Sequence, residues 1–167
     1  MKIILALFFA LNIFAITPDE LDKKGVLHYE TISHGEVLYK FLITREQGMA
    51  KLQVFDEAGD ILLTRKRGLA LEGFKRLKIK SLLSQKTPYL ITYWKKGAHG
   101  SAVEIFKLAK GQNEPIKIIN SYLSMDYLDD LDSFSFTYDK GLKTGDLSPI
   151  KYRIIFSGDG QIKEQKL

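Results

Sequence analysis

Val37, Tyr39, Phe41 and Ile43 are separated by Leu38, Lys40 and Leu42, and this two-residue rhythm predicts a β-strand with one strongly apolar face. The segment is also rich in the β-branched and aromatic residues that suit a pleated, half-buried surface. The rhythm returns at Leu52 and Val54, at Tyr89, Ile91 and Tyr93, at Ile116 and Ile118, at Phe134, Phe136 and Tyr138, and at Tyr152, Ile154 and Phe156. About ten strands are predicted once weaker segments are included. The connections are short. Ser33-His34-Gly35-Glu36, Glu57-Ala58-Gly59-Asp60, Lys96-Gly97-Ala98-His99-Gly100, Lys110-Gly111-Gln112-Asn113 and Ser157-Gly158-Asp159-Gly160 supply Gly, Asn or Asp where a hairpin needs positive φ. A parallel crossover needs about a dozen residues or more, and these gaps do not hold them. The predicted fold class is therefore all-β: a largely antiparallel meander forming a sandwich, a barrel or a propeller-like sheet, with one or two short helices.

The helices are placed where the two-residue rhythm fails. Thr17-Pro18-Asp19-Glu20 has the form of a capped helix start, and Gly25 stands where that helix would stop. Leu123, Tyr127 and Leu131 recur at helical spacing, with Asp126, Asp129, Asp130 and Asp132 away from that line, which predicts an amphipathic turn or an acidic loop. Between Leu71 and Gln85 the leucines fit a helix loosely, but Leu77-Lys78-Ile79-Lys80 alternates, and a strand is predicted.

The first fifteen residues, MKIILALFFALNIFA, follow neither period. Lys2 gives a one-charge leader, Ile3 to Phe14 an apolar stretch broken only by Asn12, and Ala15 a small residue for cleavage, although Ile13 occupies a position where a small residue is preferred. The stretch falls short of the roughly 20 apolar residues that span a bilayer. Residues 1–15 are thus expected to be a signal peptide and residues 16–167 a single all-β domain, with no transmembrane span after cleavage. The chain contains no cysteine, which excludes disulfide staples, an N-terminal lipidated cysteine, a thiol nucleophile and a thiolate zinc site. An exported, disulfide-free, lysine-rich chain predicts a secreted or periplasmic bacterial protein.

Charge then singles out one region. Between Thr64 and Lys96 the basic residues Arg65, Lys66, Arg67, Lys75, Arg76, Lys78, Lys80, Lys86, Lys95 and Lys96 face a single acid, Glu72. Such a face can bind an anionic glycan, a lipid head group or an envelope protein; nucleic acid is the anion least suited to an exported chain. The alternative is a solvated face whose lysines discourage edge pairing. Trp94 and the loop Lys95 to Ser101, with His99 among glycines, lie next to it in sequence. The candidate ligand-binding set is accordingly Lys75, Arg76, Lys78, Lys80, Trp94, Lys95, Lys96 and His99.

Other chemistry finds less footing. The acids from Asp126 to Asp132 lack the alternation, internal Gly and distal Glu of a calcium-binding loop, so they read as a solvated face or as salt-bridge partners of the basic segment. His28, His34 and His99 do not converge on a metal in the predicted hairpins. No nucleophile elbow, phosphate-binding loop, dinucleotide fingerprint or His-Glu-x-x-His motif occurs, and no cofactor or catalytic residue is assigned. Tyr89, Tyr93 and Trp94 can serve as core or as an exposed stacking and interface surface. Over about twenty residues, Tyr89 to Leu108 (YLITYWKKGAHGSAVEIFKL) resembles a blade of the FG-GAP-related repeat of secreted bacterial propellers. That repeat's acidic calcium loop is missing here, and the pattern does not recur at a fixed period, so the likeness assigns no family. The reading is an exported, non-enzymatic binding module, with two alternatives: a small hydrolase working through His99 and Ser101, or an inhibitor or assembly partner working through exposed aromatics.

Overall fold

The computed structural model describes residues 25–68, 72–123, 125–142 and 148–167. The proposed signal segment and the capped start at Thr17 lie outside the described residues. Within them the strands are β1 (Val26–His34), β2 (Val37–Glu46), β3 (Met49–Phe55), β4 (Ile61–Gly68), β5 (Glu72–Lys80), β6 (Tyr89–Lys96), β7 (Gly100–Lys107), β8 (Lys117–Ser121), β9 (Met125–Asp129), β10 (Ser133–Leu142), β11 (Pro149–Ser157) and β12 (Ile162–Lys166). They form three antiparallel sheets of four consecutive strands each: a first sheet β1–β4, a central sheet β5–β8 and a third sheet β9–β12.

The sequence rhythm explains the layering. In β2, Tyr39, Phe41 and Ile43 are buried while their neighbours are only half-buried, so this sheet has one dry face. In β6 the run Tyr89 to Trp94 is buried except for half-buried Tyr93, and in β7 Ala102 to Phe106 are all buried, because both faces of the central sheet are covered there. Leu90, Trp94, Ala102 and Phe106 pack with Phe41, Leu52 and Leu63 of the first sheet. Tyr89, Ile91, Val103 and Ile105 pack with Phe134, Phe136, Ile154 and Phe156 of the third. The central sheet is therefore the middle layer of three.

The leading strands of the sheets lie side by side. The His28 ring sits 4.7 Å from that of Phe74, His34 Nε2 is hydrogen-bonded to Ser81 Oγ at 2.6 Å, and Lys78 Nζ lies 2.8 Å from an Asp129 oxygen. Those contacts join β1 to β5 and β5 to β9.

Two loop arrangements fix the ends. Gly35 and Gly97 turn their hairpins at φ of +62° and +59°, a region where a Cβ is disfavoured. Those two turns lie at opposite ends; at the Gly35 end, where His34 meets Ser81, Asp132 accepts hydrogen bonds from Ser84 N at 3.0 Å and Ser84 Oγ at 2.8 Å, and Gln85 Nε2 donates to Gly158 O at 3.1 Å. A Cβ at Gly158 would run into Ser84 Oγ and the Asp132 carboxylate. The free edge of β4 is covered by the β7–β8 loop: Gly111 N donates to Leu62 O at 3.2 Å, and Thr64 N to Asn113 Oδ1 at 2.9 Å. An edge so capped cannot pair with another chain.

The architecture is all-β as expected, with two corrections. No described residue is helical, and the strands number twelve rather than about ten. The predicted helix or acidic loop across Leu123 to Leu131 is instead centred on β9. Its Tyr127 packs 5.2 Å from Phe136 and 6.3 Å from Phe134, while Leu123 and Leu131 are 40% and 74% exposed; pairing with β10 and its rings outcompetes a helical stripe. Alternation also misses β12, which is exposed throughout and has no apolar rhythm to reveal it. The predicted strand within Leu71 to Gln85 is β5.

Candidate functional site

The basic segment is divided by the pleat of the central sheet. Lys78 pairs with Ile91 and Lys80 with Tyr89, which sets both lysines on the face toward the third sheet. There β9 meets them. Lys78 Nζ lies 2.8 Å from Asp129 and 4.2 Å from the centre of the Tyr127 ring. Lys80 pairs with the same carboxylate and donates to Asp130 O at 2.5 Å. Partial burial pushes the Asp129 carboxyl up, but the hydrogen bonds and charges of the two lysines outweigh it and hold the group below the usual range. Burial, and then the charge of the same carboxylate, push the Tyr127 hydroxyl well up. Lys78 and Lys80 thus serve the joint between two sheets.

Trp94 faces the opposite way and is 1% exposed. Its indole N–H donates to Thr92 Oγ1 at 2.9 Å, and the Arg67 guanidinium lies 5.1 Å from its ring centre. It belongs to the core between the first and central sheets, and cannot share a surface with Lys78 and Lys80. Beside it lies a group that the sequence reading did not single out. Glu104, 1% exposed, accepts from Arg67 Nη1 at 2.5 Å and has Arg65 Nη2 at 3.7 Å; its Oε2 makes no hydrogen bond among the described residues. A signal for it existed. Glu104 interrupts the apolar run Ala102 to Phe106, and a buried acid needs a cation, which Arg65 and Arg67 supply from one face of β4.

Lys66 pairs with Glu46 at 3.3 Å and Lys86 stands exposed between β5 and β6; the other candidate residues lie toward the end of the central sheet where the β6–β7 hairpin turns. Lys75, Arg76, Lys95, Lys96 and His99 are all exposed there. Arg76 lies over the Tyr93 ring at 4.5 Å, and Lys75 Nζ donates to Ser101 Oγ at 3.3 Å. Lys96 and His99 also line a cleft of about 490 Å³ between this hairpin, the end of β8 and β10, together with Asn120, Tyr122, Leu123 and Lys140. The hairpin bends sharply enough to make the cleft because Gly100 has no side chain: a Cβ there would sit 2.7 Å from Lys96 O and 3.0 Å from Ser121 O.

The walls of the cleft are hydrogen-bonded to one another. Lys96 Nζ donates to Asn120 Oδ1 at 3.0 Å, and Tyr122 N to Asp139 O at 2.8 Å. Lys140 is held 2.9 Å from Glu164, which also accepts from the Tyr138 hydroxyl at 2.5 Å and pairs with Lys117 at 3.2 Å. Those partners, Tyr138 foremost, bring the Glu164 carboxyl down to about 2. Sequence reasoning placed Lys96 and His99 here but missed Asn120, Tyr122, Leu123 and Lys140. Nothing in their spacing announces that β8 and β10 end beside the hairpin.

The geometry does not assemble the hydrolase alternative. Ser101 Oγ is taken by Lys75, and no hydrogen bond joins it to His99 among the described residues. His28 pairs with Glu30 and His34 with Ser81. Among the described residues no three His, Asp or Glu side chains cluster closely enough to hold a metal ion, and no helix is long and apolar enough to cross a membrane.

Fold and cleft together define a class, a stack of three antiparallel meanders with a cationic cleft at one end. Within that class no relative emerges: comparison with protein-family models finds no match, and comparison with curated proteins finds none either.

Proposed function

We propose that the chain is an exported, non-enzymatic binding module that holds an anionic polymer at the cleft end of the central sheet. The observation that carries this reading is the division of the cations. Lys78 and Lys80 are matched by Asp129 within the fold, and Arg65 and Arg67 by Glu104, whereas Lys75, Arg76, Lys95, Lys96 and His99 are exposed toward the hairpin end of the central sheet, with Lys96 and His99 lining the cleft. Clustered exposed cations create a local positive potential that concentrates anions. The chain's formal net charge of +5 adds to it.

Binding of a polyanion by the purified protein should weaken as salt rises, because exposed charges are screened within about 8 Å at physiological ionic strength. Replacing Lys95 and Lys96 together by Glu should lower affinity about tenfold or more at low salt. Binding that ignores both salt and this charge reversal would remove the reading. Export rests on the pattern from Lys2 to Ala15. Mass spectrometry of the mature protein should find an N-terminus at Ile16; an intact Met1 on the natural product would overturn it.

A further inference from the structure

We infer that the polymer taken by this cleft is built of acidic sugars, with a pyranose ring laid against Tyr122 and its carboxylate or sulfate directed to Lys96 and Lys140. The inference deepens the anion-binding reading above and rests on it. Its own observation is Tyr122. At 58% exposure it is the most exposed aromatic residue among those described, and it lines the same cleft as Lys96, His99 and Lys140. Exposing a tyrosine this far leaves apolar ring surface in water, which a bound apolar face would cover.

The backbone that carries the ring is fixed before any ligand arrives. Its own backbone N–H is bonded to Asp139 O at 2.8 Å, and two residues earlier Asn120 is bonded to Lys96 at 3.0 Å. Such preorganisation reduces the ordering cost of binding. A sugar presents a C–H face that stacks on an aromatic ring and an edge of hydroxyls that exchange hydrogen bonds with an amide such as that of Asn120. Lys96 and Lys140 line the same cleft and supply charge for an acidic substituent, Lys140 while also paired with Glu164 at 2.9 Å; Asp139, 2% exposed, lines it too. The cleft volume of about 490 Å³ falls within the roughly 300–1,000 Å³ common for small-ligand sites.

Competing anions use only part of this surface. Polyphosphate satisfies the lysines and leaves Tyr122 without a partner. A lipid offers a phosphate, but its acyl chains need more apolar depth than Tyr122 and Leu123 provide.

Binding of the purified protein should be measured, by titration at low salt, to polygalacturonate, dextran sulfate, inorganic polyphosphate, phosphatidylglycerol vesicles and neutral dextran. The wild type and the variants Tyr122→Ala, Tyr122→Phe and Lys96→Ala should be compared. The expected result is that Tyr122→Ala weakens binding of an acidic glycan about tenfold, that Tyr122→Phe stays within about twofold, and that polyphosphate binding is unchanged by either. Lys96→Ala should weaken every polyanion. If Tyr122→Ala alters no ligand while Lys96→Ala alters all, the sugar assignment is overturned and the cationic cleft survives. Binding to vesicles with none to glycans overturns it in favour of lipid. Tight binding of neutral dextran removes the requirement for acidic groups. No binding to any polyanion takes down this inference and the reading beneath it together. Circular dichroism serves as the control for folding, because the Tyr122 side chain is exposed and its backbone hydrogen bond is kept in every variant.

Discussion

Between the first and central sheets the buried residues are mostly aliphatic, and a carboxylate, Glu104, lies among them with two guanidiniums. Between the central and third sheets a cluster of aromatic rings is set among Ile91, Val103, Ile105 and Ile154. Phe134 stacks on Phe156 at 4.6 Å and meets Phe136 edge-on at 6.1 Å, with Tyr89 at 5.3 Å, while the Asp129 and Glu164 ion pairs sit at the rims. The difference teaches how one sheet can serve two layers. Its strands alternate side chains between two faces, so β7 sends Glu104 one way and Val103 and Ile105 the other. One interface is fixed by a directional ion pair, the other by interlocking rings.

The largest test falls on the rings. Phe134→Ala removes a side chain that touches four other aromatics and should cost about 3–5 kcal/mol in denaturant unfolding; a loss below about 1 kcal/mol would mean that this layer is not close-packed. Next comes Glu104→Leu, which strips Arg67 of a carboxylate in a buried setting and should cost about 3 kcal/mol. Adding Arg67→Met to that variant should recover most of the loss. If Glu104→Leu is neutral by itself, the ion pair does not anchor its layer.

Acid should distinguish the rims from the interior. Glu164 titrates at about 2 in the folded chain against 4.5 ordinarily, so its contribution is fully present above about pH 4.5 and disappears as pH falls toward 2. After allowance for solvent screening of a partly exposed group, that contribution is about 1 kcal/mol. Glu164→Gln should flatten the unfolding midpoint across this window, and an unchanged slope would discount the rim pairs. Smallest of all, Leu131→Ser at a 74% exposed position should stay within about 0.5 kcal/mol, since it belongs to neither layer.

Much of this comparison is legible in the residues themselves. The alternation from Val37 to Ile43 marks a strand with one dry face, whereas the run Tyr89 to Trp94, apolar except for Thr92, marks a strand but leaves its aromatics open between core and surface. The glycine turns correctly join neighbours in sequence. What could not be read is which strands face each other across a layer, because alternation fixes a face and not its partner. That is why β9 passed for a helix or acidic loop: its acids take their meaning from Lys78 and Lys80, about fifty residues away in sequence. The cleft suffered in the same way. Its hairpin half, Lys96 and His99, is local in sequence, whereas Tyr122 and Lys140 arrive by sheet stacking.

The order of the strands within the sheets has a kinetic consequence. Each sheet is made from four successive strands, so its loops close over short distances, and low contact order favours fast folding. The sheets also become available in sequence as the chain is synthesised from its N-terminus. Until β5 to β8 have emerged, the first sheet presents Phe41, Ile43, Leu52 and Val54 to water, an exposed apolar face of the kind that drives aggregation of partly made proteins. A nascent chain held after Gly68 should therefore depend on chaperones far more than one held after Lys107, where the central hairpin can already close that face.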